Sequence, residues 1–437
     1  MFIKIATPLA LFIAFSVLIV LGKHFKLAGI KSKILVILFL IKLFAAVSIT
    51  MIYTHYYNPA TADIFKYYNG GLEIYRALED RPGDYFKMIT GIKADEPQLH
   101  QYYDAADFWY KEFDYGLYND NRTMIRFNAI LCLISNGNIW VHVVVMAFLS
   151  FLGSYWLLLG FKKFIRIRNS ILILATFLIP TLLIWSSGLL KEGLVIFGLG
   201  ALFLTTINIR QNFKWWHLMV LVLSGFLLVL AKFYILLCIV PSLVFIWITA
   251  RYRLKKPLVI LAPIVLLIVL VFSTSKYYSP LDLPLIIEQK QSDFVKMLNS
   301  MSDAGSTISI PDLEPNIGSF IINLPHAVFN SFMRPHIGEV TFGLSMFAAI
   351  ENLLFLLFIV FVIIFYRKPS PPLKTMFWAN ITFVLFLFTL VGLTTPNLGA
   401  LVRYKMPALP FLFLALYVLV GNQKLPRKIR ELNIFME

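Results

Sequence analysis

The sequence predicts an all-α fold, a polytopic transmembrane helical bundle of about eleven spans with two long extracytoplasmic loops that contain short helices. Three observations carry this. Of 437 residues, 59% are hydrophobic and only 14% are charged, where an average soluble domain is about 25% charged. Apolar runs long enough to cross a hydrocarbon core of about 30 Å recur along the whole chain. Lys and Arg collect in alternate short loops, the pattern of a chain threaded back and forth through a bilayer.

Taken in order, the spans fall near 5–22, 34–53, 138–160, 171–185, 189–208, 216–231, 233–250, 257–273, 343–366, 375–393 and 406–421. The first lacks a small-x-small cleavage site and is followed by Lys23, Lys26, Lys31 and Lys33, so it reads as a retained span with its N-terminus outside. The fourth and fifth come from one run, Ile171 to Ile209, that is apolar or small except for Lys191 and Glu192. At about 1.5 Å per residue a single helix there would reach about 59 Å, too long for one span and right for two. The break belongs at Trp185-Ser186-Ser187-Gly188, which carries the Gly and a polar pair. A second double-length run breaks at Lys232-Phe233-Tyr234.

Orientation follows from charge. The loops 22–33, 161–170, 209–215, 251–256, 367–374 and 422–430 hold 21 Lys and Arg and no Asp or Glu, so they are expected in the cytoplasm, with the C-terminus. Loop 54–126 has 12 acids against 8 bases, and loop 274–342 has 7 against 4. Both are expected outside, as subdomains of one integral membrane domain, 1–437. The net charge of +16 does not signal nucleic acid, because the bases sit in short loops between spans. Two cysteines give no disulfide framework and no metal spacing. Neither GxxxxGK[ST] nor GxGxxG occurs in a suitable context, and the cytoplasmic loops are too short for a nucleotide-binding domain. An enzyme built this way must use a substrate already in or across the membrane.

Nearly every polar feature that is not a cytoplasmic anchor points to the outer side. Asp63 opens the first long loop close to the second span, where a carboxylate can act as general base or bind a divalent cation. The same loop holds 11 of the 20 tyrosines and Trp109. Such rings suit stacking on sugars, and they equally suit an interfacial belt. Asp104 and Asp107 are spaced to share a cation, although a solvated helix face is the simpler reading. Lys191 and Glu192 sit at a membrane face and suit an anionic headgroup and a hydroxyl. As sequence neighbours they point about 100° apart on a helix, so each needs a partner elsewhere. Lys232 sits in the other outer turn.

The second long loop begins turn-rich, SMSDAGSTISIPDLEPN, and ends as an apolar segment with Pro325 and Pro335 that reads as amphipathic or re-entrant. That segment brings Arg334, His336 and Glu339 to the interface, and an Arg fork matches phosphate oxygens. His326 and His336, ten apart, do not have metal-ligand spacing. Asn397, Arg403, Tyr404 and Lys405 lie between the last two spans, with Arg403 the strongest candidate for phosphate contact. Lys42 and Glu351 fall inside spans, where an unpaired charge is costly, and are expected to pair.

These residues resemble a known group of membrane proteins. Asp63 in TADIFKYYNGG is similar to the acidic residue in the first outer loop of polytopic GT-C glycosyltransferases. WSSGLLKEG, FMRPHIGE followed by AAIENLL, and NLGALVRYKMPALP look like the O-antigen polymerase and EpsG-type proteins of surface-polysaccharide assembly. The resemblance implies a bacterial inner-membrane enzyme that uses a polyprenyl-diphosphate-linked glycan on the outer face, among other polysaccharide-assembly partners and membrane lipid. It implies that Arg334 and Arg403 neutralise the diphosphate leaving group while Asp63 or Glu192 deprotonates the acceptor hydroxyl. No Asp-x-Asp pair accompanies Asp63, so the expectation is a mechanism with no resident metal and no cofactor, with a divalent cation kept open at Asp63. The competing reading is a transporter or flippase for the lipid-linked glycan, which would need charge along a path through the bilayer centre.

Overall fold

The computed structural model describes residues 2–60, 62–106, 108–110, 119–165, 167–252, 257–278, 281–300, 306–340 and 343–421. Among them every regular element is helical, apart from two isolated bridges, Thr307 to Asn397 and Tyr366 to Val420. Among the described residues eight helices are long and apolar enough to cross a membrane, and a ninth crossing is made if one bent pair counts as a span. The protein is therefore a multi-pass helical membrane protein. In chain order the helices are α1 (Phe2–Leu21), α2 (Ser32–His55), α3 (Asp63–Asp80), α4 (Pro82–Thr90), α5 (His100–Ala105), α6 (Asn121–Ser135), α7 (Ile139–Phe164), α8 (Asn169–Ile173), α9 (Pro180–Ser187) and α10 (Lys191–Gln211). They continue with α11 (Trp215–Tyr252), α12 (Leu258–Thr274), α13 (Leu283–Ser300), α14 (Ile317–Met333), α15 (Leu344–Ile364), α16 (Pro371–Thr394), α17 (Leu398–Lys405) and α18 (Leu409–Tyr417).

The expected breaks are where polar and Gly residues place them. α9 stops at Ser187 and α10 starts at Lys191. α8 runs through a π-turn, Leu174–Leu178, and then bends by 53° into α9. The bend sits at Ile179, whose ψ of 121° is extended. The cause is Pro180, which pushes the residue before it out of the helical region. α11 is interrupted at Lys232, whose φ and ψ of −160° and 87° are extended, and helix resumes on either side.

The chain folds as two compact units. The first comprises residues 1–159, 183–202 and 218–233. Its apolar centre is an aromatic ladder in which Phe15 lies parallel to Phe148 at 4.0 Å and Phe39 meets Phe12, Phe148 and Phe151. α7 and α10 touch backbone to backbone, because a Cβ on Gly153 or Gly200 would collide with Ile196 O or Gly153 O. Small residues that allow such approach are how helices associate where lipid removes the hydrophobic drive. Between α2 and α7 the described residues form the helices α3 to α6. α3 buries Ile64, Tyr67, Gly70, Gly71, Ile74 and Ala77, spaced three and four apart, and lies on α6 with Gly71 against Asn128. Thr123 of α6 donates to Leu230 O at 2.7 Å, which ties α6 to the first half of α11.

The second unit comprises residues 160–182, 203–217 and 234–437. α16 is its axis. Its Gly392 admits the backbone of α14 at Ala327, and Ser331 of α14 donates to Phe388 O at 2.6 Å. Phe383 of α16 packs on Phe411 of α18 at 4.8 Å, and Phe411 also meets Phe161 and Phe203. α12 is apolar all round and mostly exposed, with Leu266, Leu267 and Leu270 on its surface, as expected where the solvent is lipid. α14 is amphipathic but inverted relative to a water-soluble helix. Ala327, Asn330 and Ser331 face inward, and Ile321, Ile322 and Phe329 face out.

Candidate functional site

In the first unit the polar residues meet where α10 begins. Lys191 and Glu192 are its first two residues. A carboxylate is favoured in a first helical turn and an ammonium is not. The fold compensates Lys191 with Asp120 at 2.9 Å and with Asn121, whose Oδ1 accepts from Nζ at 2.6 Å. The same Asn121 oxygen accepts from the Tyr67 hydroxyl at 3.2 Å, and the Lys191 ammonium lies 5.4 Å from the centre of the Tyr67 ring. Glu192 turns the other way and pairs with Lys232 at 2.6 Å, with both side chains buried. The break in α11 thus coincides with a buried ion pair. Lys191 and Glu192 do take separate partners, as their angular divergence requires. Asp63 opens α3, half-buried, one helical turn ahead of Tyr67.

Deeper in this unit, Lys42 is fully buried and donates to Ser150 and Ser186, both at 2.7 Å, with the two hydroxyls 3.0 Å apart. In the second unit Glu351 accepts from the Thr181 N–H at 2.7 Å. The expected pairing of Lys42 with Glu351 is therefore corrected. Each finds its partner inside its own unit, Lys42 in hydroxyls and Glu351 in the N–H that begins α9.

In the second unit the polar residues gather where α14 ends and α17 begins. Arg334 closes α14 and its Nε pairs with Glu339 at 3.0 Å. Glu339 also accepts from the backbone N–H of His336 at 3.2 Å, and its carboxylate lies 3.5 Å from the exposed His336 ring. Asn397 caps α17, accepting from the Ala400 N–H at 3.0 Å and donating to Ser306 at 2.9 Å. Arg403 and Tyr404 lie half-buried on α17.

Lys405 is buried and donates to Ser331 O and Arg334 O, each at 2.9 Å, and to Asn352 Oδ1 at 3.0 Å. Local chemistry explains why. Ser331 O would normally accept from the N–H four residues on, but residue 335 is proline. Lys405 supplies the missing donor, as cations do at helix C-termini. Asn352 in turn donates to Pro335 O at 2.9 Å.

The structure thus joins Lys191 to Asp120, Glu192 to Lys232, and Arg334 and His336 to Glu339. Asp120, Asn121, Tyr67, Asn352 and the carbonyl partners of Lys405 were not singled out by sequence reasoning. For Asp120 a signal exists, since Lys191 in an apolar run requires an acid and the first long loop holds twelve. For Lys405 there is none, because its partners are mostly backbone carbonyls, which every residue has.

The tyrosines divide. Tyr67, Tyr85 and Tyr103 are buried with Trp109, and Tyr103 stacks on Trp109 at 4.2 Å. Burial pushes the phenols of Tyr85 and Tyr103 up to about 12. These rings build the core of helices α3 to α6 and are neither a sugar platform nor an interfacial belt, whereas Tyr56, Tyr57 and Tyr110 are exposed. Among the described residues no three of His, Cys, Asp and Glu gather as metal ligands. Asp107, half of the spaced acidic pair, lies outside the described residues. Comparison with family models, with curated proteins and with solved structures yields no match to this chain.

Proposed function

We propose that this protein is a membrane-embedded glycosyltransferase or polymerase that extends a polyprenyl-diphosphate-linked surface polysaccharide at the outer face of the bacterial inner membrane. In this reading eleven segments cross, counting α1, the bent α8–α9 pair and both halves of α11 separately. The N-terminus is outside and the C-terminus is cytoplasmic, so both long loops are extracytoplasmic. The observation that carries the reading is the fate of those loops. Each folds back onto the helix ends of its own unit and gathers the candidate polar residues there, Lys191 and Lys232 in one and Arg334, Asn397, Arg403 and Tyr404 in the other.

The chemistry asked of the site is leaving-group stabilisation. Breaking an anomeric C–O bond builds negative charge on the departing diphosphate, and cations fixed in place act where that charge develops. Arg403 and Arg334 are the guanidinium candidates, and Arg334 is already aimed by Glu339. Asp63 or Glu192 is the proposed base for the acceptor hydroxyl; Glu192 is held by Lys232 and Asp63 is half-buried. General base catalysis of this kind contributes about 10²- to 10⁴-fold. The proposal names no metal.

A second reading, a flippase for the lipid-linked glycan, is favoured by one observation, the Lys42–Ser150–Ser186 cluster in the middle of α2. One experiment separates them. A deletion strain is complemented with wild type, Arg403→Ala or Asp63→Ala at matched expression, and lipid-linked glycans and surface chain length are compared. Accumulated single repeats with long chains lost are the expected result for a polymerase, and a glycan short by one sugar for a single-sugar transferase. Complete glycan trapped on the cytoplasmic side replaces the enzyme with the flippase. An unchanged profile in both variants overturns both.

A further inference from the structure

A second cationic element in the second unit lies outside all the motifs named so far. The segment Leu283–Ser300 follows the turn after α12 and folds as the amphipathic helix α13. Its inward stripe is Pro284, Gln291 and Leu298. Gln291 is buried, and its amide is fully used. It donates to Pro311 O at 2.9 Å and to Leu393 O at 2.7 Å, and it accepts from the Leu313 N–H at 2.9 Å. Three bonds to two other segments fix both the rotation and the register of α13, and with them the direction of the next side chain, Lys290.

Lys290 places its ammonium 4.0 Å from the centre of the Tyr234 ring. Tyr234 stands two residues beyond the break in α11, and its ring meets that of Tyr404 at 6.4 Å, edge on. Tyr404 neighbours Arg403 on α17, a short helix held at one end by Asn397 and at the other by Lys405. Three elements far apart in sequence therefore bring one ammonium and two tyrosine rings together, with Arg403 adjacent to Tyr404 in the chain. All four side chains are half-buried, neither sealed in the core nor fully in water.

We propose that Lys290 and Tyr234 complete, with Arg403 and Tyr404, a binding site for the phosphate or diphosphate of a membrane lipid. This inference rests on the proposed function and deepens it by naming the residues that recognise the donor. An ammonium over an aromatic face is oriented by the ring, and its N–H donors remain directional. A guanidinium adds planar donors suited to phosphate oxygens. The tyrosine rings form a wall that is apolar on its face and polar at its edge, matching a headgroup that continues into a hydrocarbon chain. Two lipids share this chemistry, an isoprenoid diphosphate and an ordinary anionic phospholipid.

The test uses the full-length protein in phosphatidylcholine nanodiscs and the binding of radiolabelled farnesyl diphosphate, with farnesol as the uncharged control. Lys290→Gln is expected to weaken farnesyl diphosphate binding about tenfold, the loss of one charge-assisted contact, with Lys290→Arg retaining most of it. Farnesol retention and the thermal midpoint should not change, which excludes misfolding. Tyr234→Phe keeps the ring and should bind as wild type, whereas Tyr234→Leu should resemble Lys290→Gln. Equal binding by wild type and Lys290→Gln, with Arg403→Ala impaired, overturns this site and leaves the proposed function standing. No binding by the wild type overturns both. Loss of the probe when phosphatidylglycerol is added to the discs, through Lys290, supports the phosphate site and assigns it to a phospholipid headgroup.

Discussion

Two buried lysines of the first unit and one of the second are matched in different ways. In the first, Lys191 and Lys232 are matched by carboxylates, Asp120 and Glu192. In the second, Lys405 is matched by two backbone carbonyls and one amide oxygen. A carboxylate partner is a side chain that can be deleted, so the pair is a removable unit. A carbonyl partner belongs to the fold. Lys405 is a clasp on the end of α14, made necessary by Pro335, and no side-chain substitution can remove its two carbonyl partners.

The contrast is broken most severely at Glu192. Glu192→Gln leaves the Lys232 ammonium buried without its counter-charge, and the expected loss is about 3–5 kcal/mol of stability. Thermal unfolding in detergent should show it as a lowered midpoint or lost folded yield. Replacing both residues, Glu192→Met with Lys232→Met, should recover most of the loss, because an apolar pair of similar volume avoids desolvating two charges. A double variant as damaged as the single one would refute the removable-unit description.

Lys405→Met comes next. It orphans Ser331 O, Arg334 O and Asn352 Oδ1, at a net expected cost of about 1–3 kcal/mol. The comparison sharpens here, since no second substitution at Asn352 should rescue it. Rescue by Asn352→Leu, read from the same unfolding midpoint, would show that the carbonyls do not matter. Lys191→Met should cost less, about 0–1 kcal/mol, because Asp120 keeps about a quarter of its surface in solvent and can rehydrate.

A further effect is one of pH. Burial pushes the Cys132 thiol from 9.0 up to about 11. The folded state therefore favours the neutral thiol. That contribution is fully present below pH 9 and is lost as pH rises through about 11. Alkylation of Cys132 should stay slow in the folded protein between pH 9 and 11 and be fast once it is unfolded. Fast alkylation of the native protein at pH 9 would contradict the burial.

Much of the helical layout is legible from residue order alone. Span-length apolar runs, the polar break at Ser186-Ser187-Gly188 and the turn at Lys232 all appear where their local chemistry puts them. α13 was not legible. Its inward stripe has Gln291 at its centre, and a buried glutamine has no periodic signature until its carbonyl partners are known. The division of the tyrosines of loop 54–126 was not legible for a related reason, since a ring that stacks on Trp109 and an exposed ring have the same composition.

Sequence alone determined that the chain is helical, crosses a membrane repeatedly and must provide partners for Lys191 and Glu192, because hydrocarbon tolerates neither open backbone nor unmatched charge. Which partners they take was decided only by the tertiary structure. Asp120 lies 71 residues from Lys191 and Lys232 lies 40 from Glu192, separations at which local spacing carries no information. Lys42 makes the same point from the other side. Its need for partners could be read from its position inside a span, but its choice of Ser150 and Ser186 depends on which helix faces the fold sets against α2.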